Sequence, residues 1–366
     1  MDTKGSPVYQ PVGLDRDGLS GKALDRYSTA HAVVWRDLSP NRKKEIRAEF
    51  TDLIANLQES LAAGSPAFLI DYSLRAEERQ AARRFPEGFT ESCLKTLAPV
   101  LAEELHPDHR DSAARFIRKT LAALKAGPGK SDLFRLAKTP LSPAARAFLD
   151  ALLAGNKNQA EEIVDRELKA GRQVAGIYRT IFQPVLVETG RLWQANEAGV
   201  DREHYISAAI LRLMGRLQDQ VPVPKKAGRK NRTVVAACVG EELHEIGIRM
   251  VADFFRMDGW DVHYIGANTP APYIAGAVRD ENAGILALSV TLPSRLPELH
   301  YLIRSLRADP ATAKTRIIVG GYPFLLVPGL WQRIGADAGA PGAEEAVAAA
   351  RRLMKGTGPA HRAPDQ

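Results

Sequence analysis

The sequence predicts an α + α/β protein: an N-terminal all-helical domain, a four-helix bundle, and a flavodoxin-like, doubly wound parallel sheet of five strands. Three observations predict it. In the first third of the chain apolar residues recur three and four apart, as at Ile46, Phe50, Leu53, Ile54, Leu57 and Leu61, the spacing of one helix face. Between residues 131 and 221 the helical segments are joined by short connections, which favour antiparallel neighbours packed as a bundle. From residue 232 strand-like and helix-like segments alternate, the pattern of a parallel sheet with helical crossovers.

Residues 1–27 are rich in Gly, Pro and charge and read as a flexible N-terminus. Residues 28–126 form the helical domain. Arg42 to Ala63 is a helix ended by Gly64-Ser65-Pro66. Ala67 to Ala82 follows, with Phe68, Leu69 and Tyr72 inward. Thr90 to Leu105 lies beyond the Phe85–Phe89 turn, and Asp111 to Lys125 beyond His106-Pro107-Asp108-His109. Gly127 to Lys130 is a linker. In 131–221 the four bundle helices are Pro143–Leu153, Gln159–Ala170, Val174 to about Gln194, and Asp201–Gln218. Pro222 to Asn231 is a second linker. In 232–356 strands are expected at 233–239, 261–266, 284–290, 315–320 and near 336–338. The helices between them are 245–257, 270–281, 296–307, 327–334 and 342–354, and residues 357–366 form a tail.

The 366-residue chain is 45% hydrophobic and 25% charged, as in soluble globular proteins. It has no apolar run long enough to span a membrane and no signal-peptide core at its N-terminus, so a cytoplasmic location is expected. Its two cysteines, Cys93 and Cys238, suit a reducing compartment. The net charge of +7 is scattered except at Lys225-Lys226-Ala227-Gly228-Arg229-Lys230, which reads as a solvated linker. No nucleic-acid-binding module stands out, and no direct nucleic-acid or membrane binding is expected.

The chemistry concentrates around Val234–Gly247, VVAACVGEELHEIG. A buried strand breaks at Gly240, and an apolar helix follows. Ligands of open α/β sheets bind beyond the carboxyl ends of the strands, so His244 stands where a cofactor would sit. Glu242 is close enough to orient its second nitrogen. Two further segments end strands on the same edge: Ser289-Val290-Thr291-Leu292 and Gly320-Gly321.

Glu242-x-His244-x-x-Gly247, followed by these two segments, resembles the signature of cobalamin-binding domains. The resemblance implies that His244 is the lower axial ligand of cobalt. Gly247 would make room for the nucleotide tail, and Glu242, Leu243, Glu245 and Ile246 would border it. Ser289, Val290, Thr291 and Leu292 would line the tail pocket, and Gly320 and Gly321 would let the backbone approach it. A generic receiver domain of the same fold would want acidic residues at these strand ends, and Asp is absent from them.

In the bundle, Gly190-Arg191-Leu192-Trp193 is followed by Val200-x-x-Glu203-His204. This resembles the cap of adenosylcobalamin photoreceptors of the CarH type. It implies that Trp193 covers the adenosyl group, that Glu203 hydrogen-bonds its ribose, and that His204 lies beside the same upper face. The family's His after the lid Trp is here Gln194, which puts a bis-histidine light-state adduct in doubt. The helical domain resembles the N-terminal domains of RsbR-type sensors. A chain of this order also resembles the photocobilins, which hold biliverdin as well. Tyr72, His31, Arg75, Arg83 and Arg84 are candidates for a bilin's propionates, with ordinary helix surface as the alternative. His31, Trp35, His106 and His109 form a second conceivable ligand set.

The resemblance implies a non-enzymatic light sensor using adenosylcobalamin, and the photocobilin likeness adds biliverdin, as a homo-oligomer with light-dependent assembly and a downstream effector. The alternative is a corrinoid methyl-carrier protein of a methyltransferase system. That reading expects a cap without the Trp and Glu-His set, and usually no N-terminal domain of about 130 residues. A protein that keeps the fold without the cofactor is a third class.

Overall fold

The computed structural model describes residues 8–127, 140–218, 220–221 and 232–355. The sequence-expected tail and most of both linkers lie outside them. The described residues fall into two compact units. One begins at Tyr9; the other holds residues 140–193 and everything described from Ala198 onward.

The first unit is helical: α1 (Arg16–Ala30), α2 (Ala32–Asp37), α3 (Pro40–Ala62), α4 (Ala67–Ala82), α5 (Phe89–Glu104) and α6 (Pro107–Ala126). Phe50, Leu53, Ile54 and Leu57 are fully buried and share a core with Leu94, Leu97 and Phe116, as their spacing requires. The flexible N-terminus expected over 1–27 is corrected for its later part. Asp15 caps α1 by accepting from the Gly18 amide at 2.9 Å. Leu19 and Ala23 are buried one turn apart. The Tyr9 hydroxyl donates to Glu59 Oε2 at 2.8 Å. The Gly, Pro and charge content concealed a short apolar stripe that the rest of the domain completes.

The second unit joins a helical bundle to the sheet. The bundle consists of α7 (Pro143–Leu153), α8 (Lys157–Lys169), a third helix in three parts, and α11 (Val200–Gln218). The third helix runs from α9 (Val174–Ile177) through a π-helical turn (Tyr178–Phe182) into α10 (Gln183–Gln194). Ser142 and Asn156 cap the first two helices. Phe148, Ile181, Phe182, Ile206, Ile210 and Met214 fill the core.

The strands are β1 (Thr233–Val239), β2 (Asp261–Thr269), β3 (Ile285–Ser289), β4 (Arg316–Gly320) and β5 (Ala338–Ala340). They form one parallel sheet in the order β2-β1-β3-β4-β5, the expected flavodoxin-like winding. The helices are α12 (Glu245–Met257), α13 (Ala271–Asp280), α14 (Leu296–Ala308), α15 (Tyr322–Leu326), α16 (Leu330–Arg333) and α17 (Ala343–Met354). The helix expected over 327–334 is shorter, Leu330–Arg333, because Pro328-Gly329 keeps its start out of the helix with Gly329 at φ +76°; the short helix Tyr322–Leu326 before it was not expected. The last strand lies two residues later than expected.

Val234, Ala236 and Cys238 point to the face covered by α12 and α17, as the two-residue period of a strand demands. Helix α12 serves two cores. Ile248, Ala252 and Phe255 pack on the sheet, while Ile246 and Met250 are buried in the bundle core. Among the described residues no helix is long and apolar enough to cross a membrane.

Candidate functional site

β1 and β3 are neighbours, and the chain leaves their carboxyl ends in different directions, which opens the crevice where such sheets bind ligands. Glu242 closes the bottom of it. Its side chain is fully buried. Oε2 accepts from the Thr291 amide at 2.7 Å and the Leu292 amide at 3.1 Å. Oε1 accepts from the His244 amide at 3.2 Å and is hydrogen-bonded to His244 Nδ1. One carboxylate thus ties the loop after β1 to the loop after β3.

A buried carboxylate should resist ionisation. Burial does push Glu242 up, but the bonds from His244 and the Thr291 amide outweigh it and hold the group at about 2. The hydrogen bond to Glu242 raises the His244 pKa against desolvation, and Glu203 of the bundle adds to the rise. The proton therefore resides on Nδ1, leaving the Nε2 lone pair free to accept or to ligate, on a side chain that is 57% exposed. The Cys238 thiol donates to the His244 carbonyl at 3.7 Å.

Two exposed apolar side chains lie in the loops that meet at the imidazole. Leu243 is 70% exposed and Leu292 43% exposed, and both sit in the loops that flank it. A Cβ at Gly247 would meet no atom within 4 Å, so the first turn of α12 presents open space. Glu245 accepts from the Tyr264 hydroxyl at 2.8 Å. In the bundle, Trp193 is 49% exposed near the end of α10. Glu203, in the first turn of α11, accepts from Ser207 Oγ at 2.9 Å and lies 3.4 Å from His204 Nε2.

Several expected site residues also have structural duties. The Ile246 side chain belongs to the bundle core, and Val290 is fully buried. Ser289 pairs with Gly320 across the sheet. A Cβ on Gly320 would lie 2.8 Å from the Ala340 oxygen, and one on Gly321, at φ +103°, would lie 2.0 Å from the Val290 oxygen. The protein's own backbone therefore requires glycine at both positions. Sequence reasoning missed Tyr264, Cys238 and the backbone amides of Thr291 and Leu292 as partners of the site. No spacing in the sequence marks them.

In the first unit the residues suggested for a bilin have partners within the domain or face solvent. Tyr72 is an interior residue bonded to Glu49 and Asp52, both at 3.2 Å, and Arg75 pairs with Asp71. Arg83 and Arg84 are exposed. The His31 ring lies tilted against Tyr27 with centroids 4.3 Å apart, whereas His106 and His109 line a separate cleft of about 190 Å³ with Leu14, Lys22 and Glu104. Among the described residues no group of three or more His, Cys, Asp or Glu is arranged to hold a metal ion.

A carboxylate-oriented imidazole at the carboxyl ends of the strands is the arrangement of a histidine that ligates a metal-containing cofactor. Comparison with known proteins agrees. Residues 232–351 match one B12 binding domain model, and residues 144–218 match a second. Dimethylamine corrinoid protein 3 of Methanosarcina mazei is 30% identical over 169 residues, covering 43% of this chain and 99% of the relative. Dimethylamine corrinoid protein 1 of Methanosarcina acetivorans is 29% identical over 213 residues, 56% of this chain and 91% of the relative. The HTH-type transcriptional repressor CarH of Myxococcus xanthus is 26% identical over 233 residues, 62% of this chain and 75% of the relative. The chain belongs to the family of B12-binding corrinoid proteins, and cobalamin is its cofactor.

Proposed function

We propose that the chain is a corrinoid carrier of methyl groups, with His244 as the lower axial ligand of cobalt. The arrangement at Glu242 carries the reading: a fully buried carboxylate, fixed by two backbone amides, holds the proton on His244 Nδ1 and presents Nε2. Bound cobalamin supplies a cobalt–carbon bond that a partner enzyme can load and unload. When Nε2 is not engaged, the raised basicity of His244 lets it take up a proton, and Glu242 keeps the ring in place for return. Leu243 and Leu292 keep water from the lower face, and Gly247 admits the nucleotide tail. The methylamine corrinoid relatives support this reading. On it the chain is a carrier, and catalysis belongs to its partner.

A second reading, adenosylcobalamin-based light sensing in the cytoplasm, is favoured by the exposed Trp193 and by Glu203 and His204 at the start of α11. The CarH relative supports it. It carries with it a light-dependent homo-oligomer, a downstream effector and a biliverdin in the N-terminal domain.

One experiment separates the readings. The purified chain is loaded with methylcobalamin or adenosylcobalamin, kept dark or lit with green light, and followed by absorption and size-exclusion chromatography. Preference for methylcobalamin with unchanged elution supports the carrier. Preference for the adenosyl form, with a light-dependent change in elution, transfers the assignment to the sensor. His244→Ala should abolish the histidine-ligated spectrum in either case; an unchanged spectrum sinks the ligand assignment.

A further inference from the structure

A polar seam crosses the interior of the first unit. Ser73, Glu77 and Gln80 lie on one face of α4, four and three residues apart. Glu49 of α3 meets that face. Its Oε2 accepts from Gln80 Nε2 at 2.7 Å and from the Tyr72 hydroxyl at 3.2 Å. Toward α5, Glu77 accepts from the Gly88 amide at 2.7 Å and from the Thr90 amide at 3.3 Å. Cys93, one turn past Thr90, is fully buried. Burial, and then the charges of Glu49 and Glu77, push its thiol up, so α5 closes the seam between those two carboxylates.

Four side-chain atoms of the seam have no hydrogen-bond partner among the described residues: Glu49 Oε1, Gln80 Oε1, Ser73 Oγ and Thr90 Oγ1. Ser73 and Thr90 are fully buried, Glu49 is 2% exposed and Gln80 4% exposed, so bulk solvent does not satisfy them. Buried polar groups are ordinarily paired, and an exception calls for an explanation. The asymmetry at Glu49 is the sharpest: Oε2 is crowded with donors, and Oε1 has none. The amide bonded to it likewise leaves its own oxygen bare.

The chemistry of these atoms selects a ligand. A carboxylate oxygen and an amide oxygen only accept, and both hydroxyls are able to accept. The matching group donates several hydrogen bonds and accepts none, which describes an ammonium. Charge agrees. Burial pushes the Glu49 carboxyl up, against the bond from Gln80 and the pull of Arg79, and Asp52 adds a second negative charge; a cation at Oε1 offsets both. Arg79 is committed to the other side, donating to the Tyr72 hydroxyl at 3.0 Å and lying 3.8 Å from Glu49 Oε2.

We propose that the first unit binds a small ammonium-type cation where α3, α4 and α5 meet, held by Glu49 Oε1 and Gln80 Oε1, with the Ser73 and Thr90 hydroxyls along the same seam. The N-terminal unit is then a ligand-binding module in its own right, and occupancy sets how tightly its helices close. The site stands independently of the cobalamin reading.

The chain carries its own reporters. Cys93 lies in the seam and Cys238 in the sheet, and both are buried, so each is alkylated only when its own surroundings open. The cofactor-free full chain is treated with iodoacetamide in rising ammonium chloride, with sodium chloride and tetramethylammonium chloride (which has no N–H) as controls at equal ionic strength. Peptide mapping follows both cysteines. Ammonium should slow alkylation of Cys93 saturably, about tenfold at roughly ten times the half-saturating concentration, and leave Cys238 unchanged; the control salts should not. Gln80→Met removes one acceptor and Glu49→Gln removes the charge, and each should abolish the ammonium effect. If ammonium slows Cys93 no more than the control salts do in the parent chain, the proposal is overturned and Glu49 holds only water or a proton. Equal slowing at both cysteines overturns it too, as does a response that survives in both variants.

Discussion

Replacing Glu242 by Gln changes few atoms and tests the centre of the site. The carboxylate receives hydrogen bonds only from donors: His244 Nδ1, the His244 amide, and the amides of Thr291 and Leu292. A carboxamide has one accepting oxygen. If that oxygen stays with Thr291 and Leu292, the NH₂ faces His244 and drives the ring proton to Nε2, the nitrogen needed for the metal. If the oxygen turns to His244, two buried amides face a donor, at about 1–3 kcal/mol. The ionisation adds a pH signature. Glu242 sits at about 2 instead of 4.5, which is worth about 3 kcal/mol to the folded state. Because the folded value is the lower one, this contribution is complete above 4.5 and is lost as pH falls toward 2. The raised His244 value acts oppositely: its share is present below 6.5 and is lost as pH rises through the higher folded value. Urea unfolding of the cofactor-free chain should show Glu242→Gln less stable by about 2–3 kcal/mol at pH 6. The gap should narrow by about 2 kcal/mol at pH 3. A gap of the same size at both pH values would refute the ionised pair. Cobalamin affinity should drop about 10–100-fold.

Gly247→Ala should leave the empty protein as stable or up to about 1 kcal/mol more stable, since helix propensity rises and the new methyl meets nothing; cobalamin titration should nonetheless show weaker binding. Gly321→Ala should do the reverse and destabilise the cofactor-free chain by about 2 kcal/mol or more, because the methyl strikes the Val290 carbonyl at positive φ; thermal unfolding measures this. Trp193→Ala should change the ratio of adenosylcobalamin to methylcobalamin affinity if the indole covers the upper face; an identical ratio in competition titrations would remove that role.

The sheet was legible because Val234–Val239, Ile285–Ser289 and Arg316–Gly320 are short apolar runs with turn signals behind them. Their alternation with helices predicts parallel strands, while the order β2-β1-β3-β4-β5 is read from the structure. His244 and Glu242 were legible as a pair because both lie in one loop. The duties of Ile246, Gly320 and Gly321 were not. They depend on which other chain segment approaches, and neither the bundle core nor the Ala340 and Val290 carbonyls are local in sequence. Pro328-Gly329 marks a break after Leu326 that the helix expected over 327–334 ran through. Helix α1 was missed for a related reason. Its mean hydropathy is low, and three residues against a preformed core suffice to hold it.

The double allegiance of α12 means that the boundary drawn by sequence is not a boundary in the material. A fragment starting at residue 232 would contain the whole sheet, yet it would leave Ile246 and Met250 without cover. A fragment ending at residue 221 would leave the bundle with a hole in its core. Expressed apart, the halves should be sticky, and mixed they should find each other. Transplanting the sheet domain into another protein would therefore require carrying the bundle with it, as one heritable block.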